Sequence, residues 1–129
     1  MRIRIYYEDT DAGGVVYHSN YLKYCERARS EFFFAKNMLP IIDDAHFVVR
    51  KMDCDFLVSA KFGDMLDVST TLVEIKKASF SVLHEIKKDG KILFIATVLL
   101  VLVKDGKVKR IDKKVEDILK SLFVRIDIN

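Results

Sequence analysis

The sequence predicts an α+β domain: one long central helix embraced by an antiparallel sheet of about five strands, with a short second helix at the C-terminus. Three observations predict it. Apolar residues recur at steps of three and four over a long stretch between Ser19 and about Lys36, the chain after Pro40 turns to β-type runs, and Asp-Gly pairs separate some of those runs. The 129 residues suit one domain, spanning 1–129, and are too few for two independent cores.

Arg2 to Tyr7 alternates Arg2, Arg4 and Tyr6 with Ile3, Ile5 and Tyr7, which predicts a first strand ending near Glu8. Asp9-Thr10-Asp11-Ala12-Gly13-Gly14 follows as a loop whose glycines allow positive φ and close approach to a ligand. In the helix, Tyr21, Leu22, Cys25, Ala28, Phe32 and Ala35 form an apolar stripe, and Tyr24, Phe33 and Phe34 widen it. Ser19 or Asn20 is expected to cap its start with a side-chain oxygen, and Asn37 with Pro40 beyond it suits its end.

Four strands are expected next: Phe47 to Leu57, Leu66 to Ile75, Phe80 to Lys87 and Ile92 to Val103. Lys88-Asp89-Gly90-Lys91 and Lys104-Asp105-Gly106-Lys107 carry the strongest short hairpin signal, so the pairing should be antiparallel, as a meander. Ile92 to Val103 is apolar at nearly every position, as in a strand covered on both faces: one by the helix, the other by a second subunit or the terminal helix. Lys113 to Phe123 supplies that helix, with Val115, Ile118, Leu119 and Leu122 on one side. A strand, a glycine-rich loop, a long helix and then an antiparallel sheet is the order of a hot-dog fold.

Composition narrows the function classes. Half the residues are hydrophobic and 32% are charged, which supports a packed core and excludes a disordered chain. A net charge of +3, from 22 basic and 19 acidic residues, is too mild and interspersed for a nucleic-acid binder. The longest apolar run has twelve residues, short of the roughly 18 needed to span a membrane, and the N-terminus lacks the apolar stretch of a signal peptide. A cytoplasmic protein is expected. Cys25 and Cys54 lack metal-ligand or redox spacing and read as reduced packing residues, and His46 and His84 read as structural.

The segment from Tyr6 to Leu22, YYEDTDAGGVVYHSNYL, with Glu26-Arg27-Ala28-Arg29 after it, resembles the signature of hot-dog acyl-CoA thioesterases, in particular the YbgC branch of the 4-hydroxybenzoyl-CoA thioesterase group. Phe47 to Met52 and Asp64-Met65-Leu66 extend the resemblance to roughly residues 2 to 110. It implies an acyl-CoA thioesterase without a cofactor or metal, in which Asp11 is the catalytic carboxylate, as nucleophile or as general base, and His18 assists. It also implies a homodimer or homotetramer with the pocket between subunits, and it keeps open a scaffold role toward an acyl carrier protein or phospholipid-synthesis enzymes. A hydratase of the same fold is a third reading.

The residues themselves agree with the first. Asp11 precedes a helix N-terminus, where unpaired amides and the helix dipole polarise a carbonyl oxygen. Gly13 and Gly14 are expected to let amides near Val16, Tyr17 and His18 reach that oxygen, and His18 otherwise reads as a helix cap. Glu8, Asp9 and Asp11 form a rival metal cluster, but Asp9 better suits an Asx-type bond to the turn. Arg50, Lys51, Lys76, Lys77 and Arg110 are the candidate cations for coenzyme A phosphates, and Tyr7, Tyr24, Phe32 to Phe34 and Phe47 are candidate acyl-pocket aromatics.

Overall fold

The computed structural model describes residues 1–125. In chain order the elements are β1 (Arg2–Arg4), a single 3-10 turn (Tyr7–Asp9), α1 (Asn20–Phe34), β2 (Ile41–Ile42), β3 (Ala45–Phe56), β4 (Met65–Ile75), β5 (Ser79–Lys88), β6 (Lys91–Lys104), β7 (Lys107–Lys109), α2 (Lys113–Leu122) and β8 (Val124–Arg125). The long strands match expectation within about two residues. Four short pieces complete the sheet: β1, β2, β7 and β8.

The strand order is β1-β4-β5-β6-β3-β2, with β7 on β6 and β8 parallel to β4. The four long strands are thus not one continuous meander: β4, β5 and β6 are, while β3 crosses over to the far side of β6. The connections differ accordingly. Asp89 and Gly90, and Asp105 and Gly106, all take positive φ and close tight hairpins, whereas residues 57–64 between β3 and β4 form an eight-residue loop that spans the sheet.

Helix α1 buries Tyr21, Tyr24, Cys25, Ala28 and Phe33. Leu22 and Phe32 pack partly against the core, but Ala35 and Phe34, expected on the apolar stripe, are exposed near the helix end. There Asn37 adopts φ 55°, and the amides of Lys36 and Met38 both reach the Phe33 carbonyl, so an asparagine ends the helix where glycine usually would. Phe94, Ala96, Val98, Leu100 and Leu102 of β6 face this core.

Helix α2 joins the same side, burying Val115, Leu119 and Leu122, with Phe123 against Phe32, Phe33 and Phe80. The second face of β6 is therefore not covered by the terminal helix, and Thr97 on it is exposed. Past its two residues paired to β2, the outer edge of β3 has no neighbour among the described residues. Burial pushes the Cys25 thiol up to about 12, which makes it a packing group.

Candidate active site

The first strand stops at Arg4 because Asp9 captures the chain behind it. Its carboxylate accepts from the Tyr6 amide at 2.8 Å and the Thr10 hydroxyl donates to the Tyr7 carbonyl at 2.7 Å, which closes the 3-10 turn where a strand through Tyr7 was expected. The Asp9 carboxylate thus serves the turn, through a bond to a residue three positions back. Its carbonyl accepts from the Tyr17 amide and the Asn20 side chain, both at 2.9 Å.

Between these anchors the glycine loop folds as a small hairpin. The Asp11 amide donates to Val15, the Gly14 amide to the Asp11 carbonyl, and the Gly13 amide to Asp11 Oδ1 at 2.8 Å. This last bond fixes the carboxylate with one oxygen held and the other open. The Val16 amide donates to the Ala60 carbonyl, which ties the hairpin to the loop of residues 57–64. Tyr21, stacked on Phe94 at 5.1 Å, accepts from the Ala60 amide at 3.0 Å and fixes that loop from beneath.

Asp11, Val16, His18 and Tyr21 line one cleft of about 240 Å³ together with Phe56, Leu57, Val58, Ser59 and Leu93. The sequence carries no signal for this second group, because it is the β3–β6 register that places Phe56 against Phe94 and brings the following loop over the helix start. The His18 ring rests on Tyr17 at 4.5 Å and edge-on to Phe56 at 6.2 Å. It makes no capping bond to the helix among the described residues, so the cap reading fails.

Ser19 is the N-terminal flanking residue, yet its side chain does not cap, and Asn20 directs its side-chain amide to Asp9 instead. The expected side-chain cap is absent. Of the amides expected to reach a substrate oxygen, those of Val16 and Tyr17 are engaged within the protein, while that of His18 meets no acceptor among the described residues, nor does that of the following Ser19. Gly13, Gly14 and Tyr17 shape the site from behind and do not line the cleft.

The predicted phosphate-binding cations lie elsewhere. Arg50 and Lys51 sit mid-strand on β3, and Lys76 and Lys77 occupy the β4–β5 turn, at the end of β4 opposite Met65 and roughly 33 Å from it at 3.3 Å per residue. Arg110 is near them, since the next residue's amide donates to Lys77. The lysines beside the cleft are Lys61, Lys88 and Lys91, which line an adjoining depression that shares Val58, Ser59 and Leu93 with it. Lys88 Nζ is 2.9 Å from Asp64; burial opposes ionisation of that carboxyl, but Lys88 and the Lys61 amide hold its pKa below the ordinary value.

The two glycines make different demands. A Cβ on Gly13 would stand 3.2 Å from Asp11 Oδ1, whereas one on Gly14 would meet nothing within 4 Å and only the backbone angle of +78° opposes it. Gly13→Ala should therefore displace the carboxylate and lower the site's turnover roughly tenfold. Gly14→Asn, which tolerates positive φ, should cost about 1 kcal/mol or less of stability and keep most of the activity. Denaturation midpoints and turnover of the two variants check this; equal losses would count against it.

Comparison with known proteins agrees with this geometry. Residues 6–120 match the family model of the thioesterase-like superfamily. The chain is 52% identical over 86 residues to the acyl-CoA thioesterase YbgC of Helicobacter pylori, covering 67% of this chain and 65% of that one, just under two thirds of the relative's length. It is 40% identical over 111 residues to the acyl-CoA thioesterase YbgC of Haemophilus influenzae, covering 83% and 82%. A crystal structure of a probable thioesterase from Bartonella henselae superposes with a TM-score of 0.81 at 31% identity, covering 87% of this chain and 97% of that one.

Proposed function

The chain belongs to the thioesterase-like superfamily and to its YbgC type, and on that premise we propose that it hydrolyses the thioester of an acyl-CoA in the Asp11 cleft. One observation carries the reading: an oriented carboxylate lines the same small cleft as His18, whose amide has no acceptor among the described residues, just before a helix N-terminus. The His18 amide is thereby available to a carbonyl oxygen that becomes negative as the thioester is attacked, with the positive end of the α1 dipole beside it.

Two routes satisfy this geometry. As a base, Asp11 takes a proton from water while the hydroxide adds to the carbonyl carbon; the C–S bond then breaks and the thiolate leaves as CoA once protonated. As a nucleophile, Asp11 adds to the carbonyl carbon and the C–S bond breaks to release the CoA thiolate, leaving a mixed anhydride that water hydrolyses to the free acid and the restored carboxylate. His18 orients water or the thioester in either case. Lys61, Lys88 and Lys91 take the role of receiving CoA phosphates in place of the more distant Lys76, Lys77 and Arg110.

The assembly we propose is a homodimer, or a dimer of dimers, built through the open edge of β3. A strand edge this long, unpaired among the described residues and with exposed Val48, Val49 and Phe56, is a template for pairing with a second copy. Antiparallel pairing about the strand's middle would set the Phe47 end of one copy beside the Phe56 end, and hence the cleft, of the other. Two unpaired thiols suit a reducing, cytoplasmic setting.

A thiol-release assay over short, long and aromatic acyl-CoAs and acyl carrier protein thioesters tests the activity, and sedimentation at micromolar concentration tests the assembly. Release of CoA by a dimer or tetramer is expected. Binding of the carrier protein without hydrolysis of any thioester would favour the scaffold role, and an active monomer would dismiss the β3 interface.

A further inference from the structure

A second, larger groove of about 460 Å³ lies away from the Asp11 cleft, between the C-terminal half of α1 and the beginning of β3. Arg29 enters it nine residues along the helix from Asn20, about 14 Å at 1.5 Å per residue. Its walls include Phe33, Phe47, Phe80 and Leu100, and the rings of Phe33 and Phe80 each approach that of Phe47 within 6 Å. The volume falls in the usual range for a small-molecule site.

Arg29 is held in place. Its NH1 group lies 3.0 Å from Nε2 of His84, which is fully buried and whose Nδ1 is 3.0 Å from the Thr70 hydroxyl. A guanidinium only donates, so Nε2 accepts, and the ring proton sits on Nδ1 and goes to Thr70. The partner of the guanidinium is therefore neutral, and Arg29 forms no salt bridge among the described residues. A half-buried, oriented cation with further donors facing an apolar groove calls for an anion on an apolar body.

We propose that this groove binds a carboxylate carried on an apolar chain, with Arg29 receiving the carboxylate and His84 acting as the positioning residue behind it. Glu26 also borders the groove, is exposed, and opposes an anion there. Two sources supply such a ligand: a free carboxylic acid, the product class of the proposed reaction, or an acyl thioester with a second carboxylate at its far end. The second would reach the groove from the cleft of a neighbouring copy if β3 pairs as described.

Calorimetric titration of the full chain with decanoate and with 1-decanol tests the site without reference to hydrolysis. Decanoate is expected to bind tighter by tenfold or more, as one charge-assisted pair provides. Arg29→Met should abolish that preference and Arg29→Lys should restore part of it. Glu26→Gln, an exposed change, should strengthen decanoate binding two- to threefold and leave decanol unaffected, so the test stays decisive if Arg29→Met does not fold. Equal binding of the two ligands by the unaltered protein, or no response of decanoate to either substitution, would overturn the proposal.

A hydrolysis arm separates the sources. If the CoA monothioester of decanedioic acid is turned over faster than decanoyl-CoA, and only while Arg29 is present, the site reads the far end of a substrate. If decanoate binds through Arg29 without that preference, the ligand is the free acid. Failure of all hydrolysis would remove the thioesterase reading and leave the binding result standing.

Discussion

Asp11→Asn is expected to lower thioester hydrolysis by on the order of a hundredfold or more while the protein keeps its fold. Asparagine has the shape of the carboxylate, and its Oδ1 still accepts the Gly13 amide that orients residue 11, so the turn should survive. The second oxygen is what changes. Replaced by an NH2 group, it can neither take a proton from water nor attack a carbonyl carbon. The residual rate should come from binding and from the His18 amide, which the substitution does not touch. Steady-state kinetics beside a denaturation curve checks this: turnover within about threefold of the parent in a folded variant would remove Asp11 from the chemistry.

Acid should weaken the folded protein through His84. Burial first, and the neighbouring Arg29 second, depress its pKa to about 3, against an ordinary value near 6.5. Between those two values the unfolded chain binds a proton that the folded chain refuses, so this contribution to stability is complete above pH 6.5 and is lost as pH falls. At about 1.4 kcal/mol per pH unit the loss reaches roughly 2 kcal/mol at pH 5 and continues to grow toward pH 3. His84→Gln supplies an acceptor for Arg29 and a donor for Thr70 without a titrating group. Urea unfolding at pH 7 and pH 5 should therefore show a pH-dependent loss about 2 kcal/mol smaller in that variant, whatever its stability at pH 7. Identical losses would mean that His84 takes up its proton in the folded state.

His84 stands in an alternating strand beside Val82 and Ile86, and its inward position follows from period two alone. That its partner is Arg29, 55 residues earlier, depends on how α1 lies across β5. The same division holds for the lysines. Lys76 and Lys77 adjoin in the sequence, but β4 carries them to the end of the sheet away from the cleft, while Lys88 and Lys91 of one hairpin meet Lys61 because a loop and the end of that hairpin come together there. The missed cap has a non-local cause: Asn20 has an acceptor in the Asp9 carbonyl eleven residues back, which no short-range propensity registers.

The sequence by itself determined the α+β class, the extent of the helix and long strands and both Asp-Gly hairpins, and it singled out Asp11 and His18 as candidates, because period, turn chemistry and a contiguous motif are all local. The tertiary structure alone decided that β3 crosses to the far side of β6, that α2 joins the helix-side core, which amides before α1 lack an acceptor among the described residues, and which cations line the depression beside the cleft. These depend on long-range register and on competition among hydrogen-bond partners many residues apart, and such a competition is resolved only when the whole sheet closes around α1.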